Sequence, residues 1–186
     1  VRTSRQYNNG TILTPHKCGT KYLNQVFNCS KQQNVFNLKD LHLYDFKWLI
    51  VRDPYEHLLS AITTMYNTLD GLREIDEILY SLVKGSDPHW IPDFYEVILS
   101  YTENHPLTLV RLSDLSFFVE HELKLVPPPK LDRHGTQILR SLSKEKLINK
   151  IKTEYPSEWN ALMELIETET IRYNLLFDRC NVYNSN

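Results

Sequence analysis

A lysine and a glycine two residues apart, Lys17 and Gly19 in "TPHKCGTKY", stand where a short apolar strand passes into a helix. A helix N-terminus presents unpaired N–H groups and about half a positive charge, and so attracts anions. Gly19 would let the backbone approach such a ligand closely. Thr20 would add a hydroxyl, and Lys17 and Lys21 would add charge. A second pair, Arg52 and Ser60, lies in "VRDPYEHLLSAI". Arg52 closes an apolar strand, and Ser60 follows about 9 Å into the next helix at a rise of 1.5 Å per residue. If Arg52 reaches forward, both side chains can meet one phosphate. The plainer readings are a solvated lysine on an ordinary turn, a salt-bridged arginine and a helix-surface serine.

The order of residues excludes a Walker A loop, which needs Gly-x4-Gly-Lys-Ser/Thr. Neither Gly10 nor Gly19 begins that spacing, and Lys17 precedes its glycine.

The elements that must hold these residues are legible in the hydrophobic pattern. A strand over 11–14, a turn over 15–19 and a helix over 20–31 make the first unit, with Leu23, Val26 and Phe27 as the helix's apolar stripe. Residues 34–45 are ambiguous between a short strand and a helical turn. "KWLIVR", 47–52, reads as a buried strand, stopped by Asp53 and by Pro54 at a first helical position. Helices are expected over 54–69, 72–83, 92–103 and 115–123, with a third strand over 107–112. "VPPPKLDRHGTQ", 126–137, is irregular and basic; Ser143 opens a helix that Pro156 breaks, and a last helix covers about 157–175. Residues 1–9 and 181–186 are expected to be flexible ends of a single domain.

Strands alternating with helices indicate an α/β fold: a P-loop-like parallel sheet flanked by helices, with a helical C-terminal part. Ligands of such sheets bind beyond the carboxyl ends of the strands, where both turns lie. The 186 residues suit one domain with a sizeable core. A net charge of −2 argues against a nucleic-acid binder. No apolar run approaches the roughly 20 residues of a membrane helix, so a cytoplasmic protein is expected, or a Golgi-lumenal one if an anchor precedes this stretch. Three cysteines without a CxxC pair make neither a zinc framework nor a disulfide scaffold, and reduced thiols are the simpler reading.

The two motifs together resemble those of sulfotransferases that use 3′-phosphoadenosine-5′-phosphosulfate (PAPS). "PHKCGTKY" resembles that family's P-K-x-G-T-T-W, and "VRDPYEHLLSAI" its VRDPxERLLSAY. "DPHWIPDF", 87–94, resembles the His-Trp-x-Pro element of Golgi-type carbohydrate sulfotransferases. The resemblance implies that Lys17 contacts the bridging oxygen of the transferred sulfate. It implies a cradle for the 5′-phosphate from Cys18, Gly19, Thr20 and Lys21, an adenine stack on Tyr22, and a grip on the 3′-phosphate by Arg52 and Ser60. Arg133, His134 and Gly135 resemble the late loop that closes over the nucleotide. His89 and Trp90 are candidates to line a carbohydrate or other small hydroxylated acceptor. Lys21 departs from the family's second hydroxyl residue, and only 35 positions separate Lys17 from Arg52.

The implied reaction moves a sulfuryl group from PAPS to a hydroxyl, leaving 3′-phosphoadenosine-5′-phosphate (PAP), by positioning and charge stabilisation. No metal is expected. His42, between the motifs, is the first candidate for the base that takes the acceptor's proton, with Asp40, Asp45 and His89 as rivals. His16 is expected to shape the turn, and His57 to be structural or solvent-facing. Two other readings stay open: a non-catalytic nucleotide-binding module, and an ATP-dependent P-loop phosphotransferase. The latter lacks the Walker A order and has no need of Arg52 and Ser60.

Overall fold

The computed structural model describes residues 3–7, 11–28, 35–67, 73–87, 89–128 and 142–184. Its centre is the apolar run Trp48–Val51, all four residues buried. Consecutive strand side chains point to opposite faces, so this run must be covered twice. Leu49 and Val51 join Leu13 and Leu109 in one core with Phe94, Ile98 and Leu176. Trp48 and Ile50 join Ile12 and Val110 in another with Leu23, Leu115 and Phe118.

The strands and helices follow in the order β1 (Thr3–Tyr7), β2 (Ile12–Thr14), α1 (Thr20–Val26), β3 (Val35–Asn37), a 3₁₀ segment Leu38–Leu43, β4 (Trp48–Val51) and α2 (Pro54–Asn67). Then come α3 (Ile75–Val83), α4 (Phe94–Thr102), β5 (Thr108–Arg111), α5 (Leu115–His121), α6 (Lys144–Glu154), α7 (Pro156–Arg179) and β6 (Asn181–Val182). The sheet order is β3-β1-β2-β4-β5-β6. From β2 through β4 and β5 to β6 the pairing is parallel, as the alternation of strands and helices predicts. A helical core of α2, α3, α6 and α7 packs together around Leu58, Leu79, Leu147 and Leu162.

Two features correct the sequence reading. Thr3–Tyr7, expected to be part of a flexible end, is a strand between β3 and β2, antiparallel to both. Asn181–Val182, at the other end, pairs with β5. The ambiguous stretch 34–45 contains both of its alternatives, β3 and a 3₁₀ segment whose Asn37 side chain accepts from the Lys39 N–H. Arg133, His134 and Gly135 lie outside the described residues.

Candidate active site

The turn after β2 contains two left-handed residues, Lys17 at φ 63° and Gly19 at φ 81°. Glycine adopts that region freely, whereas an L side chain is disfavoured there by about 1–2 kcal/mol. Gly19 is also pressed against α5: a Cβ there would lie 2.4 Å from Leu115 Cδ2. The turn is tied from below by Thr14, whose buried hydroxyl lies 2.8 Å from the Cys18 carbonyl oxygen and 3.1 Å from that of Pro15. Cys18 is fully buried, and burial, against the opposing pull of Arg52, raises its thiol to about 12. Cys18 therefore contributes backbone and packing to this turn, with its sulfur protonated.

Arg52 leaves the end of β4 and reaches back to this turn: its Nη1 donates to the Lys17 carbonyl oxygen at 3.2 Å. Its own carbonyl accepts from the buried Tyr95 hydroxyl at 2.7 Å, so α4 fixes the backbone from which the guanidinium projects. Glu56, one helical turn on, lies 3.8 Å from Arg52 Nη2 and is also held by Lys144 at 3.0 Å. Asp53 caps α2, its Oδ1 accepting from the Glu56 N–H at 2.9 Å. Ser60 is partly buried on α2.

His89 and Trp90 meet these two. The rings of His16 and His89 stand 5.9 Å apart, and those of His57 and Trp90 stand 5.3 Å apart, edge to face. Burial, reinforced by Arg5, His89 and Lys17, lowers His16 to about 4. Burial, reinforced by Arg52, lowers His57 to about 3. His16 and His57 are thus neutral at pH 7, and Arg5, Lys17 and Arg52 bring positive charge beside them. Three histidines converge, yet among the described residues no three His, Cys, Asp or Glu side chains are grouped to hold a metal ion.

His89 Nδ1 lies 2.7 Å from Asp87 Oδ1, and Arg73 Nη1 donates to Asp87 Oδ2 at 2.8 Å. Burial alone would raise the Asp87 carboxyl; the His89 and Arg73 hydrogen bonds outweigh it and hold the group at about 2.

The other expected residues are placed as follows. His42 is exposed, its Nδ1 3.1 Å from the Lys39 carbonyl oxygen. It lines a cleft of about 860 Å³ with Leu38, Tyr101 and His105, to which neither Lys17 nor Arg52 contributes. Asp40 and Asp45 are exposed. Trp90 is only 2% exposed and packs within the helical core, so its face is not offered to an acceptor. His57 is buried, the structural one of its two expected readings. The Tyr22 ring packs beside the core under α5, and its hydroxyl lies 3.2 Å from Ser116 Oγ. Lys21 is exposed, and Thr20, the first residue of α1, is partly buried.

Sequence reasoning missed Arg5, Asp87, Thr14 and Tyr95. Arg5 pairs across the ladder with Thr14, at the start of the turn. Its Nε is buried without a hydrogen-bond partner. The "HW" element pointed toward Asp87, but nothing in the spacing linked it to Arg73. Comparisons with protein-family models, with curated proteins and with solved structures returned no match.

Proposed function

We propose that the protein is a PAPS-dependent sulfotransferase acting on a carbohydrate or another small hydroxylated acceptor. The observation that carries this reading is the hydrogen bond from Arg52 Nη1 to the Lys17 carbonyl oxygen at 3.2 Å. It joins the two loops that must share one doubly phosphorylated nucleotide, at the carboxyl ends of the neighbouring strands β2 and β4. The residues fit a polyanion. Arg52 and Lys17 are both charged, Arg5 adds a cation whose buried Nε lacks a partner, and the adjacent His16 and His57 add no titrating charge. An unsatisfied buried donor is costly, and an anion's oxygen satisfies it.

On this reading Arg52 binds the 3′-phosphate, for which its planar fork is suited. Lys17 meets the negative charge that grows on the leaving oxygen as the sulfur–oxygen bond breaks. The backbone of Cys18 and Gly19 borders the 5′-phosphate, and Leu115 behind Gly19 fixes how far that backbone can retreat.

The test is a thermal-shift titration followed by transfer. PAP should stabilise the protein by about 2.7 kcal/mol at a hundred times its dissociation constant, and ATP should not. Labelled sulfate should then pass from PAPS to a member of a hydroxylated acceptor panel. Stabilisation by ATP alone would point to a phosphotransferase, and PAP binding without transfer to a nucleotide-binding module.

A further inference from the structure

The grip described above has no group to take the acceptor's proton, and Asp87 and His89 offer one. Both oxygens of Asp87 are engaged: Oδ1 by the His89 ring at 2.7 Å and the His89 backbone N–H at 2.8 Å, Oδ2 by Arg73 at 2.8 Å. The Asp87 side chain is 3% exposed, whereas that of His89 is 24% exposed. A carboxylate accepts and does not donate, so the imidazole proton sits on Nδ1 and Nε2 keeps its lone pair. The His89 ring lies against His16, the residue before Lys17. The geometry points to His89, held in this tautomer by Asp87, as the proton acceptor of the transfer site, with Asp87 and Arg73 as positioning residues.

This inference rests on the sulfotransferase reading. In the step, the acceptor's O–H bond breaks and its proton passes to His89 Nε2. The oxygen's electron pair forms the new O–S bond, and the S–O bond to the 5′-phosphate breaks with its pair moving to the phosphate oxygen. Neighbouring histidines are poor substitutes: His57 is buried, and His16 is held neutral down to about pH 4 by its burial and the cations around it. Among the described residues, Asp87, with Arg73 behind it, and the His16 ring face His89, and His57 is hydrogen-bonded to the His89 backbone. A carboxylate on the far nitrogen also stabilises the imidazolium that forms.

His89→Gln removes the base and keeps a side-chain donor for Asp87. We expect its kcat to fall by about 10²–10⁴-fold, with the acceptor KM and the PAP-induced thermal shift as in the wild type. Asp87→Asn should lower kcat by about 10²-fold or more. In its ¹⁵N spectrum the His89 proton should no longer be confined to Nδ1. A His89→Gln protein that transfers at the wild-type rate overturns the assignment, as does a wild-type His89 whose neutral ring is protonated on Nε2. A wild-type protein that PAP does not stabilise and that transfers nothing refutes the parent reading, and the base's role falls with it.

Discussion

Lys17 combines a left-handed backbone with the charge that the proposed reading assigns to the leaving oxygen. Its φ of 63° is better suited to glycine, which separates two effects that an alanine scan would merge. Lys17→Gly should fold more stably than Lys17→Ala by about 1 kcal/mol, yet both should lose transfer by about 10²-fold or more. Denaturation midpoints and turnover on the same samples check this, and full turnover in either variant would remove Lys17 from its role. The meeting of Lys17 and Arg52 was legible in the sequence because turns that follow buried parallel strands must emerge at the sheet's carboxyl edge. Lying between two motifs says nothing about which way a 3₁₀ segment carries a side chain, and His42 lines the cleft with Tyr101 and His105. Asp87 was invisible because its meaning comes from Arg73, 14 residues earlier and reached only through the tertiary fold.

The elements around the site are held by contacts that can be removed singly. Gly19→Ala combines a positive φ with a Cβ 2.4 Å from Leu115 Cδ2. It should cost about 1–3 kcal/mol, read from urea midpoints, with loss of PAP binding as the turn shifts. Helices α4 and α7 are joined by Arg172, which pairs with Asp93 at 3.0 Å, with the buried Glu169 at 2.7 Å, and with Glu96. Glu169 also accepts from the Tyr95 N–H at 3.3 Å, so this network supports the helix that carries Tyr95 and, through it, Arg52. Arg172→Ala leaves a buried carboxylate without its cation and should destabilise by about 3–5 kcal/mol. Wild-type stability in that variant would show the network to be idle. At this scale the helices read well from period and caps: Ser143 does cap α6, its Oγ accepting from the Lys146 N–H. The strand β1 did not, since "TSRQY" has no apolar alternation and is held by its neighbours in the sheet rather than by its own pattern.

For the molecule as a whole, two buried neutral histidines set how the fold answers acid. His16 and His57 have folded values of about 4 and about 3, below the 6.5 of a free imidazole. Unfolding below pH 6.5 therefore takes up protons that the native state refuses, and stability falls as pH drops. The slope approaches about 1.4 kcal/mol per pH unit for each residue. Urea unfolding between pH 7.5 and 5 should show this decline, and His57→Gln should retain about half of it; a flat profile would contradict the burial of both rings. The general architecture was readable because Trp48–Val51 can only be a strand covered on both faces. The antiparallel edge added by β1 and β3 was not, because pairing direction is decided between strands and not within one. The protonated, enclosed sulfur of Cys18 turns that same turn into a clock. An alkylating reagent can reach it only while the loop is open, so its modification rate counts openings. A nucleotide analogue seated there should slow the count, while the partly accessible Cys180 keeps reacting at its own pace as an internal control.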